Sequence, residues 1–172
     1  MSELLKDKVC IVTGAAQGIG KAIVLKMIED GAIVYGCDCL EGSMSDLELG
    51  YERFHALYFD VTHAQAAKES MMQVKKEQGH IDVLVNNAGV VFNKKIGMIV
   101  REETELMFRV NVIAVIELVQ LVSRLMARNG GGSIVNIASV TAVLGSPGQS
   151  AYSATKGAII SFTKSAAKEL AP

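Results

Sequence analysis

Residues 9–20 read Val-Cys-Ile-Val-Thr-Gly-Ala-Ala-Gln-Gly-Ile-Gly. A run rich in β-branched side chains meets a glycine, the pattern of a buried strand that ends in a tight turn. Beyond it, Ile19, Ile23, Met27 and Ile28 recur near helical spacing, and Gly31 closes that helix. Strand, glycine loop and helix in this order open a βαβ unit. Gly14, Gly18 and Gly20 permit the turn and a close backbone approach, and the helix start offers unpaired N–H groups to a pyrophosphate. The spacing departs from Gly-x-Gly-x-x-Gly, but the physical logic is the same, and Gln17 and Ile19 belong to the same candidate dinucleotide loop. A plain turn is the alternative.

Working outward, short apolar runs alternate with amphipathic stretches. Further strands are expected at 32–37, 54–59, 81–85 and 133–137. Helices are expected at 64–78, 102–127 and 152–170, with room for one short helix in the polar stretch 41–52. The 102–127 stretch starts acidic (Glu102, Glu103) and ends basic (Arg124, Arg128), as the helix dipole favours. No linker or repeat interrupts the alternation. The expectation is one α/β domain over residues 1–172, a doubly wound parallel sheet of Rossmann type.

The bulk numbers narrow the function. The 172 residues are 50% hydrophobic and 20% charged, with net charge −1. Near-neutral charge gives no electrostatic case for nucleic acid or an anionic membrane. The N-terminus lacks the apolar core of a signal peptide, and the richest apolar run, 112–122, is broken by Glu117 and Gln120. Cys10, Cys37 and Cys39 form no CxxC pair, and all three are expected as small hydrophobes in or beside buried strands. His55, His63 and His80 show no metal-ligand spacing. A soluble, cytoplasmic protein without a metal is expected.

Four places carry chemistry. Asp38 lies eighteen residues after Gly20, at the end of strand two. A carboxylate there accepts both ribose hydroxyls of NAD and repels a 2′-phosphate. Gln17 brings no cation that would invite the extra phosphate, so NAD(H) is expected over NADP(H). Asp60 and Val61 end strand three, where the carboxylate either bonds an adenine amino group or simply makes a turn. Asn86-Asn87-Ala88-Gly89 ends strand four; Ala88 and Gly89 leave room for a cofactor, Asn86 suits a structural role and Asn87 a mixed one. Tyr152 and Lys156, four apart at the head of a helix, share one face. Free tyrosine holds its proton to about pH 10, and a fixed positive charge alongside stabilises the phenolate. A surface Tyr stacked on a Lys stem is the duller alternative.

TGAAQGIG, NNAG, Asn111, Ser139 and Tyr152-x-x-x-Lys156 occur in the order of the short-chain dehydrogenase/reductase family, which the chain resembles along essentially its whole length. The resemblance implies Tyr152 as general acid/base and Ser139 as donor to the substrate oxygen. It implies that Lys156 assists the phenol and holds the nicotinamide ribose, and that Asn111 positions a water for proton relay. From the residues alone, Ser139 also fits a simple cap and Asn111 a groove-bonding polar residue. The implied activity is hydride transfer between NAD(H) and a small secondary alcohol or ketone. The C-terminal part resembles 3-oxoacyl-carrier-protein reductases, which implies an NADPH-dependent alternative that Gln17 and Asp38 do not match. The resemblance further implies two more strands and a substrate cover after residue 172, leaving strand five at a sheet edge. Without that cover, a non-catalytic dinucleotide-binding or interaction module is the alternative of another class. The last two long helices are implied as homo-oligomer contacts.

Overall fold

The computed structural model describes residues 3–171. Strands β1 (Val9–Thr13), β2 (Ile33–Asp38), β3 (Phe54–Tyr58), β4 (Val83–Asn86) and β5 (Ser133–Asn136) form one parallel sheet in the order β3-β2-β1-β4-β5. Building outward through β2 and β3 and then returning to place β4 beside β1 creates a switch point between β1 and β4. Ligands of open α/β sheets bind outside the carboxyl ends of the strands at such a point. β5 lies at the sheet edge, as expected.

β1 is buried along its whole length, which is why its sequence is apolar throughout instead of alternating. Val9 and Ile11 face one layer, packing in a cluster with Met71 and Val74 of α3 (Ala64–Gln78) and Leu118, Val122 and Leu125 of α5 (Ala114–Ala127). Cys10 and Val12 face the opposite layer with Val24 of α1 (Gly18–Glu29) and Leu47 of α2 (Ser45–Gly50). Gly79, in the left-handed conformation, ends α3 where the sequence places its stop. A smaller cluster of Val115, Val119 and Ile159 seats the last helix, α7 (Ser150–Leu170), on α5.

Three expectations are corrected. The 102–127 helix is not uniform: α4 (Arg101–Phe108) passes into a π-helical segment, Arg109–Ile113, before α5 begins. An inserted residue widens that turn around Asn111, whose amide makes its bonds outside its own helix. Among the described residues, the continuous helix Arg101–Ala127 is also long and apolar enough to cross a membrane by length and composition. Its apolar stripe is spent instead on the core contacts just given. A four-residue helix, α6 (Thr141–Leu144), occupies a stretch that shows no helical periodicity, and Gly145 ends it. The third correction concerns cysteine. Cys10 and Cys37 are core residues, and burial pushes the Cys10 thiol up to about 12, but Cys39 is exposed beyond the end of β2.

Candidate functional site

The site grows from the junction of β1 and β4. Thr13, the last residue of β1, accepts hydrogen bonds at Oγ1 from the backbone N–H groups of Asn87 (3.1 Å) and Ala88 (3.0 Å). Asn87 returns two bonds through Nδ2, to the carbonyl oxygens of Thr13 (3.0 Å) and Gly14 (3.1 Å). These four bonds tie the loop after β4 to the glycine loop. Gly14 sits at φ +66°, and a Cβ there would lie 2.9 Å from the Ala88 Cα. At Gly20 a Cβ would run into the Gly14 carbonyl oxygen and approach Asn87 Nδ2 to 2.6 Å. The start of α1 is therefore pressed against the loop, as a cradle for a phosphate at a helix N-terminus requires. Gly18 meets nothing within 4 Å, and its glycine answers to φ +56° alone.

A cavity of about 440 Å³ opens beside this cradle. Gly14, Gln17, Asp38, Asp60, Val61, Asn87, Ala88 and Gly89 all line it, so the structure brings together eight residues singled out by sequence. Of the other residues expected to bind a cofactor, Gly18, Gly20, Tyr152, Lys156 and the 65% exposed Ile19 do not line it. Asp38 reaches back to the glycine loop, accepting the Ala16 N–H at Oδ2 (3.1 Å) and the Leu40 N–H at Oδ1 (3.4 Å). Asp60 makes a turn: its Oδ1 accepts both the N–H and the hydroxyl of Thr62, each at 2.8 Å. Cys37 and Cys39 also line the cavity. Asn86 is structural, donating to Asn136 Oδ1 (2.8 Å), and Asn136 in turn donates to Thr163 of α7 (3.0 Å). A groove of about 500 Å³ between the C-terminal ends of α5 and α7 contains none of the candidate groups.

Lys156 enters this region from α7. It is 5% exposed, and its Nζ donates to the Ile137 carbonyl oxygen at 2.7 Å. A Cβ on Gly89 would lie 3.6 Å from that Nζ and 3.2 Å from Asn111 Oδ1, so the cavity wall, the lysine and the asparagine converge. Burial holds the Lys156 amine below its ordinary value. The Nζ stands 6.0 Å from the centre of the half-buried Tyr152 ring, at the outer limit of cation–π range.

Ser139 and Asn111 are engaged with the protein itself. Ser139 Oγ shares a 2.9 Å hydrogen bond with Thr141 Oγ1 and accepts the Thr141 N–H at 3.2 Å, at the head of α6. Asn111 accepts the Val90 N–H at Oδ1 (2.8 Å) and donates through Nδ2 to the Val90 carbonyl (2.9 Å) and to Thr155 Oγ1 (3.1 Å). Its side chain is fully committed, and two of its bonds go to Val90, which lines the cavity. Sequence reasoning missed Thr13 and Thr155. Thr13 stands at a strand end before glycine, a discernible signal; nothing in the chain's pattern marks Thr155 as the partner of Asn111. Among the described residues no group of His, Cys, Asp or Glu is placed to hold a metal ion.

Known proteins resemble this chain in sequence and in fold. The family model described as short chain dehydrogenase matches residues 8–172. A 3-oxoacyl-(acyl-carrier-protein) reductase FabG of Thermotoga maritima is 37% identical, the match covering 97% of this chain and 70% of that protein. A 3alpha-hydroxysteroid dehydrogenase of Mediterraneibacter gnavus is also 37% identical, over 99% of this chain and 70% of that one. Among solved structures, a short-chain dehydrogenase from Streptomyces avermitilis superimposes with a TM-score of 0.93 at 34% identity, covering 97% of this chain and 62% of that one. An NAD+-bound xylitol dehydrogenase does so with a TM-score of 0.93 at 33% identity, covering 98% and 66%. The chain thus spans about 70% of the length of these curated relatives and under two thirds of the two structures.

Proposed function

We propose, from the premise that this chain belongs to the short chain dehydrogenase family, that it transfers hydride between NAD(H) and a secondary alcohol or ketone. The observation that carries the proposal is the buried Lys156 ammonium, set against Gly89 on the cavity wall and one helical turn from Tyr152. A charge taken out of water with one carbonyl as its protein partner is a poor structural choice, and such groups concentrate at functional sites. The Gly14–Gly20 cradle fits a pyrophosphate, Asp38 the ribose hydroxyls, and Asp60 with Val61 the adenine end. When bound, the nicotinamide supplies the hydride acceptor or donor. Tyr152 takes the hydroxyl proton of the alcohol, or returns it to the carbonyl oxygen, with the Lys156 Nζ 6.0 Å from the centre of its ring. The Ser139 hydroxyl turns from Thr141 to the substrate oxygen. Because the Asn111 amide is committed, any water it holds for proton relay is held by its main chain.

Coenzyme choice tests the assignment. The Asp38 carboxylate disfavours a 2′-phosphate, so the purified protein is expected to oxidise secondary alcohols with NAD+ in preference to NADP+. Asp38→Asn keeps an acceptor for the Ala16 N–H and removes the charge. It is expected to relax the kcat/KM preference by about tenfold or more, the factor that roughly 1.4 kcal/mol of like-charge repulsion makes. Equal use of both coenzymes by the unsubstituted protein would show the role of Asp38 to be wrong.

The similarity to the 3-oxoacyl-(acyl-carrier-protein) reductase supports a second assignment, reduction of a 3-oxoacyl thioester with NADPH. Faster NADPH-linked turnover of such thioesters than of simple ketones would favour it. NADH binding without turnover of any carbonyl would favour a non-catalytic dinucleotide-binding module. Family membership also supports a cytoplasmic protein that associates with its own copies. Ile113, 49% exposed on the outer side of the Arg101–Ala127 helix, suits such a contact; sedimentation at micromolar concentration checks it, and a strict monomer would count against it.

A further inference from the structure

We propose that Thr155 is a positioning residue: through Asn111, its hydroxyl locks the cavity wall at Val90 to the helical turn that presents Tyr152 and Lys156. The proposal rests on Tyr152 being the acid/base group. Thr155 and Asn111 are both 0% exposed. The Thr155 hydroxyl donates to the Tyr152 carbonyl oxygen at 2.7 Å and accepts from Asn111 Nδ2 at 3.1 Å. Asn111 uses its remaining capacity on both backbone groups of Val90, which follows Gly89 in the wall of the cavity.

Three stretches far apart in sequence therefore meet at two buried side chains: the loop after β4, the π-helical segment and the first two turns of α7. Both amide donors of Asn111, its carbonyl, and the hydroxyl donor of Thr155 are all used. A satisfied buried network of this kind defines one arrangement of the parts it joins. The bond from Thr155 to its own helix is an ordinary local contact that bends a helix slightly. The bond from Asn111 is what relates that helix to the cavity wall. Valine would fill the same space as threonine, so volume does not account for the hydroxyl. Its consequence is geometric. Reacting groups misplaced by a fraction of an ångström lose rate steeply while coenzyme affinity is kept.

The test compares Thr155→Val and Thr155→Ser in the full chain, with kcat expressed per coenzyme-binding site so that any unfolded fraction drops out. Thr155→Val is expected to lower kcat about 10- to 100-fold with coenzyme KM within about twofold, and Thr155→Ser to restore kcat to within about threefold. Amide hydrogen exchange at Val90, the N–H bonded to Asn111, reads the same joint without turnover. It is expected to accelerate at least about fivefold in Thr155→Val and not in Thr155→Ser. Unchanged kcat and unchanged Val90 exchange in Thr155→Val would overturn the positioning role and leave the role of Tyr152 standing. Absence of turnover in the unsubstituted protein would instead strike at Tyr152. Val90 exchange then decides the joint alone: acceleration in Thr155→Val supports it, and no change overturns it.

Discussion

Tyr152→Phe is expected to lower kcat by about a thousandfold or more while coenzyme affinity and thermal stability stay nearly unchanged. The separation of the three quantities follows from where the hydroxyl stands. Among the described residues no protein group is hydrogen-bonded to the Tyr152 hydroxyl, although its ring is half-buried at the head of α7. Removing the oxygen therefore orphans no partner inside the protein, and the usual penalty for deleting a buried hydrogen bond does not arise. The ring is kept, and with it the packing of the first turn of α7. What is lost, under the proposed assignment, is the group that exchanges a proton with the substrate oxygen. The Lys156 ammonium cannot replace it: its Nζ is buried and donates to the Ile137 carbonyl. Ser139 lacks an adjacent base, because its hydroxyl is shared with Thr141. Equilibrium binding of NADH by fluorescence, the thermal midpoint and steady-state kcat measured on the same preparations check all three. Turnover retained within tenfold would remove Tyr152 from the chemistry. A fall in the midpoint of several degrees would show that the hydroxyl does structural work that the hydrogen bonds do not reveal.

The parts of this molecule legible in its sequence are those governed by period and by local backbone chemistry. β1 shows as a β-branched run because both its faces are buried, and α3 was bounded correctly because its stop depends on Gly79, a residue type with a specific conformational use. The glycine loop was recognisable for the same reason: the close approach of Gly20 to Gly14 admits no side chain. Asp38 could be placed by counting from the loop, since strand length and one helix set that distance. What escaped notice depends on contacts between segments distant in sequence. The π-helical segment is invisible to a 3.6-residue period, and the bonds Asn111 makes from it to Val90 and Thr155 join stretches distant in sequence. α6 is four residues long, too short to show a period at all. Asp60 and Ser139 each had a local alternative open to it, a turn and a cap, and both make those local bonds here. Short polar side chains satisfy nearby backbone first, so their type and spacing alone do not distinguish a cap from a site. Thr155 lies one residue before Lys156, yet its role appears only when the π-helical segment is laid against α7.

Gly20→Ala is expected to destabilise the fold by about 3 kcal/mol or more and to abolish measurable coenzyme binding, an outcome opposite to what helix propensity predicts. Gly20 lies inside α1, where alanine in place of glycine ordinarily gains about 1 kcal/mol. Here the added Cβ points at the Gly14 carbonyl oxygen and approaches Asn87 Nδ2 to 2.6 Å. Neither neighbour can yield cheaply. Gly14 is held at φ +66° with its Cα face against Ala88, and its carbonyl accepts from Asn87. Asn87 in turn bonds the Thr13 carbonyl, so displacing it opens the junction between β1 and β4. Relief must come from moving α1 outward, away from its contacts through Val24 with Cys10 and Val12. Overpacking of a rigid core commonly costs about 1–3 kcal/mol, and a backbone carbonyl on one side with a doubly bonded side-chain amide on the other places this site at or above the top of that range. For a chain of this length, such a loss lowers the thermal midpoint by roughly 6–12 °C. Gly157→Ala supplies the control, because Gly157 lies within α7 and an added Cβ there meets nothing within 4 Å. That substitution is expected to hold the midpoint or raise it by a few degrees, as propensity alone would have it. If Gly20→Ala behaved like Gly157→Ala, the close seating of α1 on the glycine loop would be wrong, and with it the proposed coenzyme cradle.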